Sequence, residues 1–478
     1  MRRIEGSIER APFGGESTYY SHDGGHWVSS PRLAQLASAV RADVDLGALA
    51  RWIAGVEEPG SQTIFAGVNR LLPCERLTVT QTGIEAKLVV PSPGPTPSGS
   101  LDDLARMLRE RIKLAVKGAL AGSQNAAIMV GGLDSCGLAA IALSNDAPIM
   151  LLTLTNRGTD PDEPYVAELA RMYNRPLLKL SIDEGGALLE SLLVVDGMPF
   201  PVPPYTEVTS ARLLRESGAD RVLTGFLGDD VLGGHPSMLG TCVLPRHPLR
   251  AIHQALRLQT PDGGSVRYRL VEFLIRPNLR EVLPKGMRAR RRRQHLARRL
   301  SWAKPPFLNL LEAGGAEQES RYRVPRSGEE AFRSFATMAS LADMRDLHAL
   351  LEPLRGLPRF APVIDLELIR FACALPYEVL NCDNLHRGLY RRALRGLMPE
   401  RVRTRLTKAN MDEHMFEVIK RELDAPRWRR RFSVPHLAKL GWVDPVMLRA
   451  RLENLSNSED LIATWPFLAA DAFLEEQS

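Results

Sequence analysis

A chain of 478 residues with 44% hydrophobic and 25% charged residues has the composition of a soluble globular protein and the length for two or three domains. Its formal charge of +6, from 62 basic against 56 acidic residues, is too slight a surplus to point to nucleic acid by itself. Cysteines at 74, 136, 242, 373 and 382 are odd in number and unpaired in spacing, so neither a disulfide framework nor a zinc site is suggested, and a reducing cytoplasm fits. The opening Met-Arg-Arg-Ile-Glu-Gly-Ser lacks the apolar core of a signal peptide, and no uncharged apolar stretch reaches the roughly 18 residues of a membrane span.

The first ninety residues give strand-like pieces near Ser17 to Ser21 and Leu77 to Gln81 and a helix over Leu46 to Gly55. Residues 91–100 hold four prolines and two glycines, the composition of an extended linker between a small head (residues 1–90) and a large body (101–478). Ser100 and Asp103 stand at capping-box spacing, and Leu104, Met107, Leu108, Ile112, Ala115 and Val116 follow at helical intervals. A buried strand then enters the segment Asn125 to Cys136. Further strands are expected at 149–155, 176–182 and 221–224, with helical patterns at 163–173 and 206–216 between them. This alternation predicts an α/β fold with a doubly wound parallel sheet. Beyond Gly234 the pattern is helical and arginine-rich, with no further strand and no internal repeat. Arginines crowd 288–293, 298–299 and 427–431, either as solvated helix faces or as a docking strip for an acidic or phosphate-bearing partner.

The segment Asn125-Ala-Ala-Ile-Met-Val-Gly-Gly-Leu-Asp-Ser-Cys136 carries the chemistry. An apolar strand, two glycines and a helix start make a turn of bare N–H groups that faces an anion, and Asp134 is placed to hold magnesium against phosphates. No Gly-Lys-Ser/Thr and no Gly-x-Gly-x-x-Gly occurs there, so neither a Walker loop nor a dinucleotide fingerprint is present. Packing alone also produces glycine-rich strand–helix junctions. After the strand at 221–224 comes Gly225-Phe-Leu-Gly-Asp-Asp-Val-Leu-Gly-Gly-His-Pro236. Adjacent aspartates commonly cap a helix or sit in a solvated turn. In a doubly wound sheet, however, residues 130–135 and 224–230 both reach the ligand crevice, where Asp134 and Asp229 can share a magnesium ion.

The loop resembles the pyrophosphate loop of the ATP pyrophosphatases. Gly-Gly-Leu-Asp-Ser at 131–135, Asp162-Glu163 and Thr-Gly-x-x-Gly-Asp-Asp-x-x-Gly-Gly at 224–234 together resemble the synthetase domain of asparagine synthetase. Ala361-Pro-Val-Ile-Asp365 is similar to the family's Pro-Phe-Leu-Asp helix. The stretch from Arg387 to Lys408 resembles its Leu-Arg-x-Ala, Leu-Pro and Arg-x-x-Lys run, and Thr63 to Pro73 resembles the segment that joins glutaminase to synthetase. The likeness runs over roughly residues 10 to 425. It implies ATP and Mg2+ as cofactors, with Gly131, Gly132, Leu133, Asp134 and Ser135 on the phosphates, and Asp134 and Asp229 on the metal. It implies Met129, Leu154, Thr224 and Gly225 around the adenosine, and Lys408 stabilising charge at acyl transfer.

The chain departs from the parent pattern at three places. The glutaminase's N-terminal cysteine is absent, so the head is expected to be a truncated, inactive glutaminase-like α+β unit. The family's ammonia-handling glutamate falls on Pro358, and the usual first serine of the loop is Val130. What remains resembles the β-lactam synthetases and, more closely, the lasso peptide cyclases, through Leu368 to Pro376, Tyr390 to Pro399 and Pro305-Pro-Phe-Leu. This implies adenylation of an Asp or Glu side chain of a precursor peptide and closure of a macrolactam by the peptide's amine, with a leader peptidase and a leader-binding protein as partners. Three alternatives stay open: a small-molecule amide ligase, a non-catalytic peptide-binding subunit, and a transfer-RNA thiolase that shares the loop.

Overall fold

The computed structural model describes residues 1–55, 60–155, 161–181, 189–260, 264–313, 324–407 and 411–478. At its centre lies a five-stranded sheet of β1 (Ala126–Met129), β2 (Ile149–Thr155), β3 (Leu177–Ser181), β4 (Arg221–Leu223) and β5 (Arg359–Phe360). The spatial order is β3-β2-β1-β4-β5, and every neighbouring pair is parallel. The first four strands fall where apolar runs predict them. β5 corrects the expectation that no strand follows Gly234: Val222 donates to the Pro358 carbonyl and Thr224 to that of Phe360, both at 2.9 Å. Two residues of edge pairing, beside a proline, leave no period that a sequence scan can detect.

Both faces of the sheet are buried, as an all-parallel sheet requires. Ala126, Ile128, Ile149, Leu151 and Leu223 pack into one core with helices α1 (Leu101–Leu120), α2 (Leu133–Leu143) and α3 (Glu163–Met172). Ala127, Leu152, Leu154 and Leu180 face a second core built from α4 (Tyr205–Glu216) and the C-terminal helix Ser458–Glu476. The capping box predicted for α1 is present in full, with Ser100 and Asp103 each accepting from the other's backbone. No helix among the described residues is long and apolar enough to cross a membrane.

Residues 2–88 form two small antiparallel sheets, one of four strands and one of three, and the helix Leu46–Ile53, which Asp45 caps. These elements are locked onto the body. Arg10, whose side chain is fully buried, pairs with Asp346, and Ser17 donates to the same carboxylate at 2.6 Å. Leu49, Ile53 and Phe65 join the core of the C-terminal helix, where Phe65 meets Phe473 edge-on at 5.9 Å. Residues 91–100 run without regular structure, and Arg370 donates to the Ser92 carbonyl at 3.0 Å.

Candidate functional site

The strand order reverses beside β1: its chain successor β2 lies on one side and β4 on the other. Register pairs Ile128 with Leu223, so the loops after β1 and β4 leave the sheet at the same level and meet at its switch point. Val130 is 3% exposed and donates to the Leu152 carbonyl at 2.8 Å, which continues the ladder and sends its side chain into the core. It therefore presents no group to the loop. Neither Gly131 nor Gly132 has positive φ; what they supply is space. A β-carbon at Gly131 would lie 2.9 Å from the Asp162 carboxylate, whereas one at Gly132 would meet nothing within 4 Å, the open side that an anion needs. Gly132 begins α2 with no side chain capping the first turn, which leaves that positive end for a ligand. Ser135 folds back on the loop, accepting from Gly131 N–H at 3.2 Å and donating to the Gly132 carbonyl at 3.3 Å.

The second loop is wound tightly. Leu227 takes a left-handed φ of 62° at the start of helix α5 (Gly228–Gly233), a conformation that costs a branched side chain about 1 kcal/mol or more. A β-carbon on Gly228 would lie 2.4 Å from the Asp134 carboxyl carbon, so only glycine lets α5 approach α2 here. The turn sets Asp229 toward Asp134. Between them stands Arg387, itself at a left-handed φ of 60° before helix α6 (Gly388–Ala393). Its Nη1 lies 2.5 Å from Asp134 Oδ2 and 2.5 Å from Asp229 Oδ1.

Burial pushes the Asp134 carboxyl up to about 6; the Arg387 guanidinium pulls it down, and the Asp229 charge pushes it up again. Its Oδ1 is buried and accepts no hydrogen bond. Asp229 keeps a half-exposed side chain, while burial raises the pKa of Asp230. His386, next to the clamp, is pushed down to about 4 by burial and then by Arg387, so it is neutral at pH 7.

These groups line a cavity of about 220 Å³ together with Gly131, Gly132, Leu133, Arg405 and Thr407. Arg405 holds Asp162 at 2.5 Å and stacks on Tyr165 at 3.9 Å from the ring centre, which fixes the wall behind Gly131. Thus the structure brings Gly131, Gly132, Leu133, Asp134 and Asp229 into one cavity. Lys408 follows the lining residue Thr407 and lies outside the described residues. Gly225 packs its backbone on Ser135, where a β-carbon would meet the Ser135 nitrogen at 2.8 Å. Met129 is exposed at the end of β1, and Leu154 is 8% exposed in the core at the end of β2. Thr224 lines a second, larger cleft of about 900 Å³, bounded by Ser17 and Tyr19 of the head and by Phe226, His348, Arg359 and Asp365 of the body.

Sequence reasoning missed Arg387, His386 and Arg405. Arg387 lies in a stretch already singled out by resemblance, but a single arginine carries no signal that it will stand between two aspartates more than 150 positions away. For a magnesium ion, the unpartnered oxygen of Asp134 and the accessible carboxylate of Asp229 are suitable hard donors. No group of three or more His, Cys, Asp or Glu that could hold a metal occurs among the described residues. Two carboxylates with substrate phosphates completing the shell are the usual magnesium arrangement in nucleotide sites, so the donor set fits.

A family model described as asparagine synthase matches residues 107–475. Members of that family use ATP. The chain is also 23% identical over 364 residues to asparagine synthetase (glutamine-hydrolyzing) 3 of Bacillus subtilis (strain 168), a match that covers 70% of this chain and 53% of that protein. It thus spans about half the length of that relative. With the parallel sheet, the paired aspartates at the switch point and a family match over most of its length, the chain belongs to the asparagine synthase family.

Proposed function

We propose that this protein is an AMP-forming, ATP-dependent amide ligase that closes a macrolactam in a ribosomally made peptide, as the lasso peptide cyclases do. One observation carries the ligase chemistry: Asp134 and Asp229, from separate strand ends, converge on a single cationic group at the switch point. In this reading residues 101–478 are the ligase unit and residues 1–90 a glutaminase-like head. The triphosphate lies over Gly131 to Ser135, with α2 directing its N-terminal N–H groups at the phosphates. Asp134 and Asp229 would hold Mg2+, which spreads the charge of the departing pyrophosphate. Arg387 reaches both carboxylates and offsets part of their negative charge before the nucleotide arrives.

A side-chain carboxylate of the peptide attacks the α-phosphorus, displaces pyrophosphate and becomes an acyl adenylate. The peptide's N-terminal amine then attacks the acyl carbon and AMP leaves. Lys408 stabilises the charge that develops on the acyl oxygen. The cleft between head and body, with a volume of about 900 Å³ and with Thr224 and Phe226 of the Asp229 loop on its wall, supports a substrate larger than an amino acid. Pro358 holds no proton-accepting group, which favours an amine delivered with the substrate over free ammonia.

The transfer-RNA thiolase alternative needs a reactive thiol. Burial pushes Cys136 and Cys373 up to about 12 and Cys74 and Cys382 to about 11, so these four stay protonated. The test is incubation with ATP, Mg2+ and synthetic peptides that carry a free N-terminal amine and an Asp or Glu side chain several residues downstream. The expected result is AMP and a peptide lighter by one water. Nucleotide turnover with free amino acids but not with peptide would favour a small-molecule ligase, and binding of the peptide without AMP would favour a peptide-binding subunit. Lys408→Ala should leave pyrophosphate–ATP exchange in place and slow ring closure.

A further inference from the structure

Residues 246–299 hold fifteen Lys and Arg against three Asp and Glu, a net +12, in a chain whose total is +6; the rest of the molecule is therefore net −6. The same region carries nine of the twenty-one exposed large apolar side chains among the described residues, all between Leu249 and Met287. This concentration has a structural cause. Helix Pro248–Arg257 buries its small face, Ala251 and Ala255, against Phe273 and Leu274, and turns its large aliphatic face to solvent: Leu249 is 82% exposed, Leu256 44% and Ile252 41%. The helical run that follows buries Phe273 and Leu274 yet also exposes Val271, Ile275 and Leu279, at a spacing of four. An amphipathic helix in a globular protein normally does the reverse. Beyond them the helix Lys285–Arg299 exposes Arg290, Arg291, Arg298 and Arg299.

We propose that this face docks on an anionic membrane surface. Aliphatic stripes flanked by arginine match an interfacial helix, whose side chains enter the acyl boundary while guanidinium groups stay among anionic headgroups. A protein partner would be expected to find exposed aromatic anchors, in which binding hot spots are rich. Here Leu, Ile, Val and Met dominate, and Tyr268 is the one aromatic among the nine. Nucleic acid would use the arginines and leave the aliphatic stripes wet. No helix among the described residues crosses a membrane, so the attachment is peripheral and reversible.

Co-sedimentation of the full chain with vesicles tests this. Binding is expected to phosphatidylcholine vesicles that contain phosphatidylglycerol and not to phosphatidylcholine alone, and to weaken as salt rises above about 0.1 M. A triple variant, Leu249→Ser with Leu256→Ser and Ile275→Ser, should lower the vesicle partition coefficient about tenfold or more while keeping the wild-type melting temperature and ATP binding. Arg290→Gln with Arg291→Gln should flatten the salt dependence. Wild-type partition by the triple variant would overturn the proposal, since arginine would then act alone. So would a wild-type protein that ignores both vesicles, or one that ignores them and binds polyglutamate, which would assign the face to an acidic protein.

Discussion

Arginine serves two different ends in this molecule. At the switch point Arg387 has a side chain 6% exposed, fixed between two carboxylates and reached by a strained turn. On the helix Lys285–Arg299, Arg290 and Arg291 lie in water, and whatever they contribute comes from summed charge. In the first place burial raises the Asp134 carboxyl and a single guanidinium opposes that shift while holding both carboxylates; in the second, the charge is spread over many side chains. Sequence density is therefore a poor guide to an arginine's role here: within the crowded 427–431 run Arg431 is itself fixed by Glu190 and Glu475, whereas Arg290 and Arg291 lie in water.

The largest effects are expected at the carboxylates. Asp134→Ala and Asp229→Ala should each lower AMP formation roughly a thousandfold, the rate equivalent of the several kcal/mol that a bound metal supplies. Melting curves of the ligand-free proteins should show no collapse, because Asp134 is held against its preference in the absence of ligand. If either variant turns over normally, the shared-cation site is not where catalysis occurs. Next in size, Arg387→Gln leaves two neighbouring carboxylates without their counter-ion and should cost about 3 kcal/mol in denaturant unfolding at pH 7, with less loss near pH 5, where Asp134 takes a proton.

The pH dependence sharpens the contrast. His386 is held near 4 in the fold against about 6.5 unfolded, so its contribution to stability is present above pH 6.5 and is lost as pH falls toward 4, about 3 kcal/mol in all. Asp134 has the opposite sign: its raised value makes the fold favour the proton, so stability declines as pH rises from about 4 to 6. The two slopes offset each other in the wild type. His386→Asn should unmask the Asp134 slope, and melting temperatures read across pH 4 to 7 should then fall as pH rises. Smallest of all, Arg290→Gln with Arg291→Gln should move folding stability by less than about 0.5 kcal/mol and leave ATP turnover unchanged. A large loss of turnover would mean that the arginine-rich face is coupled to the site.

Much of the central architecture is legible in the residue pattern. The apolar runs at 126–129, 149–155 and 177–181, each followed by a helical period, specify parallel strands, and the capping box at Ser100 fixes where α1 begins. The loop glycines and the doubled aspartate mark the chemistry because few other residue types serve there. The fifth strand is hidden because two residues of edge pairing are too short to show a period. Arg387 is hidden for a different reason: its role depends on two aspartates brought to it by strand order.

The local elements, the glycine loop at 131–132 and the acidic pair at 229–230 are legible in the residues alone, because backbone propensity, side-chain volume and hydrogen-bonding capacity act over a few residues. Contacts between distant segments bring Asp134, Asp229 and Arg387 into one charge cluster in which Asp229 stays half-exposed, send Val130 into the core, and leave the large aliphatic face of helix Pro248–Arg257 in solvent. Those outcomes follow from register and packing between distant segments. Electrostatic energy and burial depend on distance in space, which chain order alone does not reveal.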